Sequence, residues 1–116
     1  LSGADGVDEV GECEYKSTTG KHIKGAYTGI SVQSTWEEQD KYLREDKIGK
    51  YKNHYFSRFD GGRGIVEIWK LSGEDVLFIL LPKLEKKYPK ALTMKDPRLG
   101  ASINQTEIKK YGIKVR

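Results

Sequence analysis

Charged and less polar residues alternate along Glu12-Cys13-Glu14-Tyr15-Lys16-Ser17, the period-two pattern of a β-strand with two different faces. Residues 4–7 predict a short strand before it, and Asp8-Glu9-Val10-Gly11 reads as a turn, so the chain opens on a hairpin. Residues 18–24 are polar and predict a loop. Residues 26–33, with Tyr27, Ile30 and Val32, predict a further strand.

The period then lengthens. Ser34 or Thr35 can cap a helix, with Glu37 or Glu38 three residues on, running to about Lys47. Trp36, Tyr42 or Leu43, and Ile48 would supply its apolar side. Residues 55–60 and 65–71 predict strands joined by the turn Gly61-Gly62-Arg63-Gly64, a second hairpin. On the second of these strands, Val66, Ile68 and Lys70 face away from Ile65, Glu67 and Trp69. Ser72 begins a helix through Leu84 or Tyr88, with Glu74 and Asp75 in its first turn and an apolar stripe of Leu77, Leu80, Leu81, Leu84 and Tyr88. Pro82 inside that stripe predicts a kink or an early stop, and a strand over residues 76–81 competes with the helix. The tail predicts a short strand at 92–94, a loop at Asp96-Pro97, a helix at 105–111 and a last strand at 113–115. The expected fold class is α/β, a mixed β-sheet flanked by helices.

A chain of 116 residues makes one domain, 1–116, with one modest core, and no repeat or linker divides it. Apolar residues at 36% and charged residues at 33% describe a globular domain with a large polar surface. The net charge of +4 is compatible with a nucleic-acid partner but does not establish one. The single cysteine, Cys13, excludes an intrachain disulfide and points to a reducing, cytoplasmic compartment. It cannot build a structural zinc site with His22 and His54 alone. The longest apolar run, residues 76–81, is too short to span a bilayer, and no signal peptide is visible, so no membrane partner is expected.

Alternate positions on a strand share a face, so Glu12, Glu14 and Lys16 project together. A solvated strand carrying a Glu–Lys pair would explain this at a few tenths of a kcal/mol. Asp5 adds a second possibility. If residues 4–7 pair with the next strand, Asp5 comes close to Glu14, and two carboxylates meet one ammonium group. Such acids repel one another unless a cation such as Mg²⁺ binds them. Mg²⁺ can polarise a phosphodiester and lower the pKa of a bound water, while Lys16 positions the water or meets charge growing on the phosphate.

Asp5-Gly6, nine positions before Glu14-Tyr15-Lys16-Ser17, resembles the PD-(D/E)xK motif of many restriction endonucleases and DNA repair nucleases. The resemblance spans about residues 1–80 and implies a restriction-endonuclease-like core. It assigns Mg²⁺ to Asp5 and Glu14, and assistance of the attacking water to Lys16. Ser17 follows the Lys, as is frequent in that family, and Ala4 stands at the nominal Pro. Asp8 is a second candidate for the first acid, although it falls in the predicted turn. Glu12 shares the face and is a candidate further ligand or supporting acid. Gln33 and Gln39 are candidates for a Gln that several branches place near the site, against plain roles at a strand end and on an exposed helix. The family's N-terminal helix has no counterpart here and would lie before Leu1, where the chain begins without Met.

Lys41, Arg44, Lys47, Lys50, Lys52 and Arg58 interleave with Tyr42, Tyr51, Tyr55 and Phe56. Cations beside aromatics suit phosphate contacts and base stacking. They are equally compatible with a solvated face over a core that contains Tyr55 and Phe56. Arg44, Lys50, Lys52, Arg58 and the turn residue Arg63 are the DNA-binding candidates. His22 lies in a loop after the motif, and Cys13 is expected to face inward. Lys83, Lys86, Lys87 and Lys90 complement a helix C-terminus. The resemblance to the PD-(D/E)xK nucleases implies Mg²⁺-dependent, restriction-type cleavage of duplex DNA to 5′-phosphate and 3′-hydroxyl ends. A homodimer is expected, since cutting both strands needs two sites. A structure-specific or repair nuclease of the same fold, a non-catalytic nucleic-acid-binding module and a protein-interaction domain are the alternatives.

Overall fold

The alternating stretch around Cys13 is strand β2 (Gly11–Thr18), and β1 (Gly6–Asp8) folds back on it antiparallel. A computed structural model of the chain describes residues 6–116. After β2 come β3 (Gly25–Ser31), α1 (Trp36–Tyr42), β4 (Asn53–Asp60), β5 (Gly64–Ser72), α2 (Gly73–Ala91), β6 (Arg98–Ile103), α3 (Gln105–Tyr111) and β7 (Ile113–Lys114). Leu43–Lys47 continues α1 as a π-helical turn. The main sheet has the order β1-β2-β4-β5-β7. It is mixed: β2 and β4 run parallel, and the other neighbours are antiparallel. The α/β class with a mixed sheet holds. Among the described residues no helix is long and apolar enough to cross a membrane.

Helix starts are fixed by side-chain oxygens that satisfy otherwise unpaired N–H groups. Thr35 accepts from the Glu38 amide at 3.1 Å, and Ser72 accepts from the Asp75 amide at 3.1 Å. Asn104 and Glu107 form a reciprocal capping box at α3. The Asp60–Gly64 turn closes through Arg63 N–H to the Asp60 carbonyl, with Gly64 at φ +76, a conformation that favours glycine.

Four expectations need correction. Strand β3 leaves the main sheet and pairs with β6 in a separate two-stranded ribbon. Gly25 permits this, because a Cβ there would stand 2.3 Å from the Phe56 ring. Asp8 lies on β1, in register with Gly11, and the turn is confined to Glu9-Val10. Helix α2 runs unbroken through Pro82 and Pro89 to Ala91. An interior proline costs about 3 kcal/mol. Burying Leu80, Leu84, Tyr88 and Ala91 along one stripe outweighs that cost. The last expected strand of the tail's first half falls not at 92–94 but at β6, after the loop at Asp96-Pro97.

One core joins Phe56 and Leu71 of the main sheet to Ile23, Tyr27 and Ile30, to the β6 residues Leu99 and Ile103, to the stripe of α2 and to Ile108 of α3. These partners share the sheet face that carries Phe56 and Leu71. Tyr55, one residue before Phe56, projects to the opposite face instead of joining the core, and stacks on Tyr15 at 5.0 Å between ring centroids.

Candidate functional site

The parallel register sets Glu14 beside His54 and Lys16 beside Phe56. Paired residues of neighbouring strands share a face, so Glu14 and Lys16 point towards β3 and the π-helical turn. There they line a cleft of about 190 Å³ together with Tyr27, Thr28, Asp46, Lys47 and Tyr51. The Lys16 ammonium stands 4.6 Å from the centroid of the Tyr27 ring, a cation–π contact.

Beneath this contact lies a hydrogen-bonded relay. His54 Nε2 is 3.0 Å from the Ile48 carbonyl oxygen, which can only accept. Nε2 therefore carries the proton and donates, which leaves Nδ1 as an acceptor for the Tyr27 hydroxyl at 2.8 Å. His54 is fully buried, and burial pushes its pKa down to about 4; the Ile48 carbonyl opposes the shift, and the charge of Lys16 adds to it. The imidazole is neutral at physiological pH. It acts as a support for Tyr27, and through Tyr27 for Lys16.

The remaining acids separate. Asp5 lies outside the described residues. Glu12 is exposed and does not line the cleft. Asp8 sits on the other face of the sheet. Its Oδ2 accepts from Asn53 Nδ2 and from the Tyr55 hydroxyl, both at 2.7 Å, and its Oδ1 accepts from the Val10 amide at 3.0 Å. The Asn53 and Tyr55 bonds hold its carboxyl below the usual range. Asp8 thus pins β1 to β4 and is turned away from Glu14.

The glutamines also serve the fold. Gln39 is fully buried, not exposed as a plain helix residue would be. Its Oε1 accepts from the Gln33 amide at 2.7 Å, and its Nε2 donates to the Ser31 carbonyl at 3.1 Å. The Gln33 carbonyl accepts from the Tyr88 hydroxyl at 2.6 Å. Neither glutamine lines the cleft. Cys13 is fully buried, and strand alternation puts it on the face opposite Lys16. His22 is exposed in the β2–β3 loop.

The basic candidates scatter. Lys50 stands 5.7 Å over the ring of Tyr51, next to the cleft. Lys52 is exposed in the segment before β4. Arg44 pairs with Asp40 at 3.0 Å and borders a separate groove along α2 with Glu74, Leu77 and Phe78. Arg58 pairs with Glu67, and Arg63 lies 3.6 Å from Asp60 at the hairpin tip.

Sequence reasoning passed over two cleft residues, Asp46 and Tyr27, and named Lys47 only as one cation of the basic segment. Asp46 and Lys47 reach the cleft from the π-helical turn, whose extra residue shifts the phase of the helix. Tyr27 was read only as an apolar strand position, and its polar end found a buried partner. Glu14 and Asp46 are oxygen donors of the kind that Mg²⁺ takes. Among the described residues, no three His, Cys, Asp or Glu side chains gather closely enough to hold a metal ion. No protein-family model matches the chain, and no curated protein matches it.

Proposed function

We propose that the chain is a metal-dependent DNA endonuclease with a restriction-endonuclease-like core, and that Asp5, Glu14 and Lys16 carry its chemistry. One observation supports this reading above the others. Glu14 and Lys16 share a face of β2 and line one polar cleft, at the spacing of the PD-(D/E)xK motif. A Glu–Lys pair that merely decorated a strand would lie on a flat, solvated face.

In this reading Glu14 and Asp5 hold Mg²⁺, which supplies Lewis-acid polarisation of a phosphoryl oxygen. Lys16 directs its ammonium at the attacking water or at a phosphate oxygen as negative charge grows there. Tyr27 keeps that ammonium in place, and His54 keeps Tyr27 in place. Lys47 offers a second cation at the cleft for substrate phosphate. Restriction-type cleavage of duplex DNA is the reaction proposed, with two copies of the chain supplying one site per strand.

Incubation with plasmid and phage DNA in Mg²⁺, with and without EDTA, tests the reading. Discrete fragments that vanish with EDTA are the expected result. DNA retained in a low-salt shift assay with no cutting of any substrate would replace the nuclease by a non-catalytic binding module.

A further inference from the structure

A second concave region lies where the parallel strands β2 and β4 approach their C-terminal ends, with Thr18 in register with Arg58. Two adjoining hollows of about 480 and 510 Å³ share Thr19, Gly20 and Lys21. The first extends to the β4–β5 hairpin through Arg58, Phe59 and Arg63, and the second along the β2–β3 loop to His22 and Lys24. Four permanent cations, Lys21, Lys24, Arg58 and Arg63, face a single lining carboxylate, Asp60. That carboxylate already accepts from the Gly62 amide at 2.8 Å and lies 3.6 Å from Arg63.

The trough is built. Thr18 Oγ1 donates to the Lys24 carbonyl at 2.8 Å and closes the β2–β3 loop on itself. Arg58 donates to Glu67 through Nε and to the Gly20 carbonyl through a terminal nitrogen at 3.5 Å, so the loop is tied to the hairpin. Arg58 is therefore a positioning residue. Lys21 and Lys24 are exposed and enter no ion pair among the described residues. Phe59, 37% exposed, adds an apolar surface between the cations.

The geometry points to a binding trough for the sugar–phosphate backbone of DNA, with Lys21, Lys24 and Arg63 as its phosphate contacts. This inference rests on the nuclease reading for its choice of polyanion, and it extends that reading to where the strand runs. Lys16 precedes Thr18 by two residues, roughly 7 Å along β2, so a backbone lying in the trough passes near the Glu14–Lys16 cleft. Duplex DNA presents one charge for about every 1.7 Å of axis, which suits a row of cations held on two loops.

The test is fluorescence anisotropy of a labelled 20-base-pair duplex in EDTA, where binding is read without cleavage. The Lys21→Ala/Lys24→Ala protein is expected to bind about tenfold more weakly, with a salt dependence shallower by about two counterions. Lys95→Ala/Lys114→Ala, which removes two exposed lysines, one from the loop before β6 and one from β7, is the charge-matched control and is expected to bind as wild type. Thermal melting confirms that the double variant is folded. Unchanged affinity and salt slope in the double variant overturn the trough, even if the wild type cuts DNA. Wild-type protein that binds polyglutamate as tightly as the duplex also overturns it. Trough-dependent binding by a protein that cuts nothing supports the trough and refutes the nuclease.

Discussion

Tyr27 donates its hydroxyl proton to Nδ1 of His54 across 2.8 Å, and the same tyrosine ring carries the ammonium of Lys16. The unfolded chain returns His54 to a pKa near 6.5, whereas the folded chain holds it at about 4. Between these values the unfolded state binds more protons, so stability falls as pH drops from about 6.5 to 4 and levels off below. The full loss from this group is about 3 kcal/mol. Denaturant unfolding across that window measures it, and the ring ¹⁵N shifts report the tautomer. An imidazolium at pH 6 would contradict the relay.

Tyr27→Phe keeps the ring under Lys16 and removes the donor to Nδ1. The buried acceptor then loses its partner, at a cost of about 1–2 kcal/mol. A variant as stable as wild type in urea would show that the hydroxyl contributes nothing.

Gln39→Ala removes two bonds at once at the exit from β3: the Gln33 amide loses its side-chain acceptor, and the Ser31 carbonyl keeps only the longer bond from Gln33 Nε2 at 3.5 Å. The expected destabilisation is about 2–3 kcal/mol, measured as a shift in the urea midpoint at constant slope. Tyr88, which donates to the Gln33 carbonyl, belongs to the same network. The effects of Gln39→Ala and Tyr88→Phe are therefore expected not to add.

Asp8 and Tyr55 are coupled across the outer face of the sheet. A double-mutant cycle of Asp8→Asn and Tyr55→Phe is expected to show that either change removes most of what both remove together. The carboxyl is held below its ordinary pKa, chiefly by Asn53 and then by Tyr55. Its contribution is present above about pH 4 and is lost as pH falls through the lowered value. Additive melting shifts at pH 7 would dissolve the coupling.

Local chemistry was legible in the sequence wherever neighbours in the chain decide it. Thr35, Ser72 and the Asn104–Glu107 pair mark helix starts, and alternation put Glu14 and Lys16 on one face. What failed depended on distant partners. Nothing near β3 announces that it pairs with β6. Pro82 argues against a helix locally, and burial against the rest of the core overrules it. The face that Asp8 takes depends on the register of β1, where a slip of one residue would turn it over. That Asp46 and Lys47 line the cleft was not legible, because a π-helical turn has no local signature in this stretch.

The face that a carboxylate occupies separates chemistry from structure, and a panel of three variants measures that most directly. Glu14→Gln, Lys16→Ala and Asp8→Asn would be compared in Mg²⁺-dependent plasmid cleavage, each checked for folding by circular dichroism. Under the proposed function, Glu14→Gln and Lys16→Ala lose at least about a hundredfold in rate, while Asp8→Asn stays within about threefold of wild type. Cleavage that survives in Glu14→Gln and Lys16→Ala, or that disappears in a folded Asp8→Asn protein, would contradict it.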